Sequence, residues 1–108
     1  VPYSTKADIL VSDGEELKVG DVTLKFIHTP GHTEGGMCIY VEEAKALFSG
    51  DTLFRQSIGR TDFPGGSYKE IMDSIRKKLF LLPDDTNVFP GHMGTTSIGF
   101  EKENNPFV

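Results

Sequence analysis

Residues 22–36 read VTLKFIHTPGHTEGG, a segment in which a regular pattern gives way to a glycine-rich turn. Apolar and polar residues alternate from Val22 to Phe26, which is the period of a half-buried strand. His32 follows Gly31, a residue whose missing side chain lets the backbone bend sharply where a strand stops. This segment therefore predicts a strand whose end presents an imidazole.

Two more strand ends have the same design. Asp51 follows a predicted strand within Ser-Gly-Asp-Thr, and His92 follows another within Pro-Gly-His. The ends of neighbouring strands at one edge of a sheet lie close together, so residues distant in sequence can converge there. Two imidazoles and a carboxylate suit zinc, iron or manganese. Taken singly, each residue is better explained as part of a turn; taken together, the three spacings leave both interpretations open.

The rest of the chain predicts a mixture of strands and helices, which is the α+β class. Ser67, followed by Glu70, forms a capping box that starts a helix, and Pro83 ends it. Residues 50–66 show little apolar period and are predicted to be irregular. The other predicted elements are apolar segments at 7–11 and 17–19, a hairpin of 37–41 with 46–49, a helix over 68–81, a strand over 87–89 and a short helix over 97–102.

Composition excludes several function classes. The chain has 108 residues, 37% hydrophobic and 25% charged, which is typical of one small soluble domain without a membrane span or a signal peptide. Its net charge of −5, without a dense Lys/Arg run, gives no support to nucleic-acid binding. The single cysteine, Cys38, favours a reducing, cytoplasmic location, and its apolar neighbours predict a packing residue.

Three segments resemble the third, fourth and fifth metal motifs of the metallo-β-lactamase superfamily, in the same order. They are TPGHTEGG at 29–36, LFSGDTLF at 47–54 and VFPGHMGTTSIGFEKENNPF at 88–107. GRTDFPGGS at 59–67 is similar to the branch that contains glyoxalase II-like (hydroxyacylglutathione hydrolase-related) enzymes. The resemblance implies half of an αββα sandwich. Residues 1–108 would be the C-terminal portion, without the N-terminal half that carries the His-x-His-x-Asp-His motif.

The same resemblance implies a site, an activity and a small-molecule substrate. His32 would complete the ligands of a first metal, Asp51 would bridge both metals, and His92 would bind the second. The metals would be two divalent ions, with zinc expected first and iron or manganese as alternatives, and hydroxide between them would attack the carbonyl of a thioester or related ester. Arg60 would contact a carboxylate-bearing substrate or pair with Asp62 to brace its loop. Asp51, where several antibiotic-hydrolysing members carry Cys, argues against β-lactam specificity.

The missing first motif shapes the expectations for this chain. It begins at Val1 without Met, which predicts a piece of a longer protein, inactive alone because part of the ligand set is absent. A sheet face without its second layer predicts a homodimer, or cover by the missing half. One alternative is an iron-dependent persulfide dioxygenase, using His32 and Asp51 but not His92. The other is a non-catalytic half-domain that dimerises.

Overall fold

A six-stranded mixed sheet forms the framework of the computed structural model, which describes residues 14–33, 35–62, 66–91 and 94–108. The apolar segment at 7–11 lies outside the described residues. In chain order the sheet strands are β1 (Glu16–Val19), β2 (Val22–His28), β3 (Met37–Val41), β4 (Ala46–Gly50), β7 (Asn87–Pro90) and β8 (Thr96–Ser97), and they lie side by side in that order.

The remaining elements are short. Strands β5 (Leu53–Phe54) and β6 (Ser57–Ile58) form a separate hairpin. Two α-helices, α1 (Tyr68–Lys77) and α2 (Ile98–Asn104), are accompanied by 3₁₀ turns at Glu42–Ala44 and Leu79–Leu81. This mixture confirms the predicted α+β class. Neither helix in the described part of the chain has the length and apolar content needed to cross a bilayer.

The strand directions bring three strand ends to one edge of the sheet. Strands β2, β3 and β4 pair antiparallel in succession, so β2 and β4 run the same way. Strand β7 pairs parallel with β4 after a crossover that contains α1. The carboxyl ends of β2, β4 and β7 therefore share an edge, and these are the ends that precede the three predicted ligands.

One face of the sheet carries the core. Side chains at alternate positions of the central strands point to this face and pack against α1, the second 3₁₀ turn and α2. The cluster consists of Ile27, Cys38, Tyr40, Leu47, Leu53, Ile71, Met72, Ile75, Leu79, Val88 and Ile98. Most of these side chains are fully buried, so α1 is fixed by an apolar stripe at helical spacing.

The opposite face is apolar and exposed. The register sets Phe26, Ile39, Phe48 and Phe89 directly opposite one another on four adjacent strands. The rings of Phe48 and Phe89 stack at 5.4 Å, yet these residues are 47% and 38% exposed. We call this row the open face; exposed Leu17, Val19 and Val22 continue it towards the β1 edge.

The structure corrects the helix prediction over residues 68–81. Helix α1 ends at Lys77, because Lys78 leaves the helical region at φ −122° and ψ −60°, and a 3₁₀ turn follows. Leu79 stays fully buried in that tighter turn, so its apolar spacing imitated a longer helix. The segment 50–66, predicted as irregular, contains β5 and β6, which at two residues each are too short to show a period.

Replacing Gly31 with Ala should destabilise the protein by about 2 to 6 kcal/mol, from backbone strain and overpacking together. Gly31 has a φ of +137°, and an added Cβ would overlap the Ile71 backbone and Cβ. Denaturant unfolding measures the loss. Gly35→Ala is the matched control: a Cβ there meets no atom within 4 Å, so the change should be within about 0.5 kcal/mol. Equal effects of the two substitutions would contradict this account.

Candidate metal centre

The His32 turn is held against α1 by main-chain and side-chain hydrogen bonds. The Ser67 N–H donates to the Gly31 carbonyl at 2.7 Å, and the Ser74 hydroxyl donates to the Pro30 carbonyl at 2.8 Å. These bonds, together with the close approach of Gly31 to Ile71, fix the loop on the buried face of α1. His32 therefore projects from a rigid base.

The Asp51 turn begins where β4 stops. Gly50 has a φ of +52°, and the Thr52 N–H returns to the Ser49 carbonyl at 2.9 Å. Gly59 packs directly behind it: an added Cβ there would overlap the Asp51 carbonyl oxygen and lie 3.2 Å from the His32 Cβ. The missing side chain of Gly59 lets the two loops approach each other.

His32 and Asp51 come together at the shared edge. The His32 Nε2 lies 3.8 Å from an Asp51 carboxylate oxygen, and both side chains remain partly exposed. The His32 Nδ1 lies 2.9 Å from the Arg60 carbonyl. A carbonyl only accepts, so Nδ1 carries the hydrogen in this bond and Nε2 is the ring nitrogen that faces Asp51.

This donor pair fits a metal ion. Zinc takes imidazole nitrogen and carboxylate oxygen at roughly 2.0–2.2 Å, and donor atoms 3.8 Å apart are within reach of one ion at such lengths. A ligating histidine almost always donates its other N–H to a carbonyl, carboxylate or water, which is the arrangement at Arg60. The roles of His32 and Asp51 as ligands stay predictions that this geometry supports.

The third predicted ligand, His92, lies outside the described residues. Its neighbour Gly91 is described: the Gly91 N–H donates to the Gly50 carbonyl at 2.8 Å, and its missing Cβ would sit 3.3 Å from an Asp51 carboxylate oxygen. The β7 end thus reaches the Asp51 turn. Within the four described ranges, no group of three His, Cys, Asp or Glu side chains is arranged to hold a metal ion.

Arg60 forms a two-pronged ion pair with Asp62. Its Nε and Nη2 donate to the two carboxylate oxygens at 3.1 and 3.3 Å, on an exposed loop. This hydrogen-bonded guanidinium holds the pKa of Asp62 below its usual value. The arrangement is the loop-bracing alternative from the sequence; contact with a substrate stays a prediction.

Two buried polar clusters escaped sequence reasoning. Behind the two loops, Thr29, Cys38 and Thr52 contact one another through their side chains. Cys38 is buried, as predicted for a packing residue, and burial raises the pKa of its thiol. The sequence feature that could have indicated this cluster is the position of Thr29 and Thr52, which flank the two glycine turns.

The second cluster surrounds Glu101, which is fully buried. Its carboxylate accepts hydrogen bonds from the Gln56 N–H, the Thr96 hydroxyl and the Asn105 amide, at 3.0, 2.6 and 2.8 Å. These bonds fasten the β5–β6 hairpin to α2. No sequence pattern distinguished this residue from an exposed helical glutamate.

Comparison with known proteins identifies the family of this chain. The sequence model of the metallo-β-lactamase superfamily matches residues 1–92. The chain belongs to that superfamily. This match agrees with the resemblance of the individual motifs. It also agrees with the sheet and the turns that bring His32 and Asp51 to the shared edge.

Curated relatives of this superfamily member include metallo-hydrolases. The chain is 47% identical to an uncharacterized protein of Aquifex aeolicus over 93% of its length and 47% of that protein. It is 46% identical to hydroxyacylglutathione hydrolase GloC of Haemophilus influenzae (89% and 45% covered) and 41% identical to the probable metallo-hydrolase YqgX of Bacillus subtilis (94% and 48% covered). The chain thus spans about half the length of these relatives.

Solved structures share the fold. BLEG-1 B3 metallo-beta-lactamase superposes with a TM-score of 0.88 at 44% identity, covering 94% of this chain and 48% of that one. ETHE1 from Myxococcus xanthus gives 0.87 at 38% identity (93% and 45%), and TTHA1623 in a di-iron-bound form gives 0.82 at 36% identity (100% and 50%). This superfamily member therefore has metallo-hydrolases among its relatives and a di-iron protein among its neighbours.

Replacing Arg60 with Gln should raise the pKa of Asp62 towards its ordinary value, because the hydrogen-bonded cation that lowers it most is removed. A lowered pKa contributes stability that is fully present above the unfolded value of about 3.9 and is lost as the pH falls through the folded pKa. Wild type should therefore lose more stability than R60Q on acidification below about pH 4. Carboxyl NMR titration measures the pKa directly; an unchanged Asp62 titration in R60Q would contradict the pairing.

Proposed function

We propose that the complete gene product is a metal-dependent hydrolase of thioester or related ester substrates, of the glyoxalase II-like type, and that this chain supplies His32, Asp51 and His92 to two divalent ions. The observation that carries the proposal is the His32–Asp51 pair at 3.8 Å, with the far side of the imidazole held by the Arg60 carbonyl. The identity to GloC supports the substrate class. The 108-residue chain alone should bind metal weakly and be inactive, since a partial ligand set holds metal poorly.

Zinc is the first expectation, and such ions, when bound, lower the pKa of water to supply a nucleophile and polarise a carbonyl. The chain's own residues prepare that chemistry. The Arg60 carbonyl accepts a hydrogen bond from the His32 Nδ1–H and thereby orients the ring, while the Gly50 turn presents the Asp51 carboxylate at the same edge. The negative charge of Asp51 would also offset the repulsion between two cations.

The Arg60 side chain is proposed as a weak contact for a carboxylate on the substrate. This proposal is supported by the Arg60 main chain, whose carbonyl holds His32. A substrate carboxylate would have to compete with Asp62 for the same guanidinium. Bracing the loop is therefore its first role.

An iron-dependent persulfide dioxygenase is the second candidate, favoured by the likeness to ETHE1 and to TTHA1623 in its di-iron-bound form. Metal content of the full-length gene product separates the two candidates. Bound iron, with oxygen consumption on a persulfide, selects the dioxygenase; thioester hydrolysis with zinc selects the hydrolase. A β-lactam belongs in the same substrate panel, because BLEG-1 is titled a B3 metallo-beta-lactamase.

We further propose that the open face is covered by the polypeptide that accounts for the other half of its relatives' length. The chain covers 47% of the Aquifex aeolicus relative, and the open face presents stacked aromatic rings rather than charges. An apolar surface of this kind marks an interaction site. A second copy of this chain is the competing occupant.

Asp51→Ala in the full-length gene product should remove bound metal and lower kcat/KM by more than the roughly 10- to 100-fold that loss of an outer-sphere partner costs. His32→Ala should act in the same direction. Elemental analysis and thioester hydrolysis measure both effects.

Matched controls keep this prediction specific. Asp73→Asn removes a partly exposed carboxylate on α1 that pairs with Lys69, and His28→Gln removes a histidine that is not a predicted ligand. Both should retain metal and activity. Full metal content in the Asp51 and His32 variants would sink the proposal.

Phe48→Asp should weaken self-association of the isolated chain by roughly 10- to 150-fold, the equivalent of about 1.5–3 kcal/mol for one buried aromatic side chain. Leu81→Asp is the control, because Leu81 is 78% exposed on the 3₁₀ turn, away from the open face. Sedimentation equilibrium measures association for both variants.

The full-length gene product decides which occupant covers the face. With the other half present, the open face should be protected and the protein monomeric, and a separately expressed first half should bind this chain but not its F48D variant. A full-length product that dimerises through Phe48 would favour the second copy and overturn cover by the other half.

A further inference from the structure

A continuous network of polar side chains lies beneath the His32 and Asp51 turns. The Thr29 Oγ1 lies 3.0 Å from the Thr52 Oγ1 and 3.4 Å from the Cys38 Sγ, and the Cys38 thiol donates to the Ser49 carbonyl at 3.7 Å. Thr29 and Cys38 are fully buried, and Thr52 is 3% exposed. This network extends from the end of β2, through β3, to the end of β4.

The hydrogen atoms of this network can be placed so that each one is donated in a hydrogen bond. Thr52 donates to Thr29, Thr29 donates to the Cys38 sulfur, and the thiol donates to the Ser49 carbonyl. Each hydroxyl and thiol has one hydrogen to give, and the terminal carbonyl can only accept. A buried network with every donor satisfied is rigid, whereas a partly satisfied one is costly.

The two threonines also close the turns that carry the ligands. The Thr29 N–H donates to the Gly36 carbonyl at 2.8 Å, across the loop that contains His32. The Thr52 N–H donates to the Ser49 carbonyl at 2.9 Å, across the Asp51 turn. The hydroxyl contact between Thr29 and Thr52 therefore joins the bases of both loops.

A purely apolar pair would fill the same space. Valine has the shape of threonine, and burying a hydroxyl is unfavourable unless it is hydrogen-bonded. Thr86 shows the contrast: it is fully buried, and among the described residues its hydroxyl has no hydrogen-bond partner. The directional bond at Thr29 and Thr52 supplies what packing lacks, a fixed distance between two loops.

We propose that Thr29 and Thr52 are positioning residues, whose hydroxyl–hydroxyl bond sets the spacing between His32 and Asp51 as ligands of the proposed metal centre. The inference rests on the proposed function. Metal sites tolerate deviations of only about 0.2 Å in ligand distance. A bond that joins the two loop bases thus controls how well Nε2 and the carboxylate meet an ion.

The test measures metal affinity in the full-length gene product, by chelator competition and by the visible spectrum of bound Co²⁺. Thr52→Val and Thr29→Val should weaken affinity about 10- to 100-fold and shift the spectrum, as expected for loss of a group that orients a ligand. Thr86→Val, which removes a buried hydroxyl outside the network, should change neither. The unfolding midpoint of each metal-free variant is recorded in parallel, because a merely structural role would move the midpoint alone.

Thr52→Ser and Thr52→Ala isolate the hydroxyl even where a valine variant fails to fold, since both lose the methyl group and only serine keeps the oxygen. Serine should restore affinity and alanine should not. Unchanged affinity and spectrum in the Thr52 valine or alanine variant, with metal binding intact in wild type, overturns the positioning role and leaves the proposed function standing. Absence of metal binding by wild type overturns both.

Discussion

Helix α1 can lie against the end of β2 only because residue 31 has no side chain, and much of the remaining arrangement follows from that contact. Gly31 touches the backbone of Ile71, and Ser67 and Ser74 of the same helix hold the carbonyls of Gly31 and Pro30. The helix also forms the core with the sheet through Ile75. One helix therefore packs on the sheet and fixes the His32 turn, so that packing and ligand geometry are coupled.

Sequence patterns anticipated the central strands because their periods are long enough to read. Strand β2, predicted from 22, extends to His28, and the hairpin of β3 and β4 lies within one residue of its predicted bounds. The alternation in β2 identified which residues share a face but not which face is covered. Phe26 belongs to the open face, whereas Ile27 enters the core, because the helices lie on the side of the sheet to which the odd-numbered residues of β2 point.

The candidate site was predictable as far as the local signals reached. The glycines before His32 and Asp51 marked sharp turns, and parallel β2, β4 and β7 bring those turns to one edge. The Arg60 carbonyl that holds His32 could not be foreseen, because a main-chain acceptor leaves no mark on residue type. Glu101 was missed for a related reason: its burial depends on three donors that meet only after α2 and the β5–β6 hairpin have docked.

The parallel pairing of β4 with β7 also carries a consequence for the order of folding. Strands β1 to β4 form a meander of neighbouring segments, whose loops close cheaply. Strand β7 can join β4 only after the intervening hairpin and α1 have been placed, and such non-local pairings are slow. The edge that gathers the ligand loops thus depends on this non-local pairing, so we expect the ligand turns to come together after the β1–β4 meander has formed.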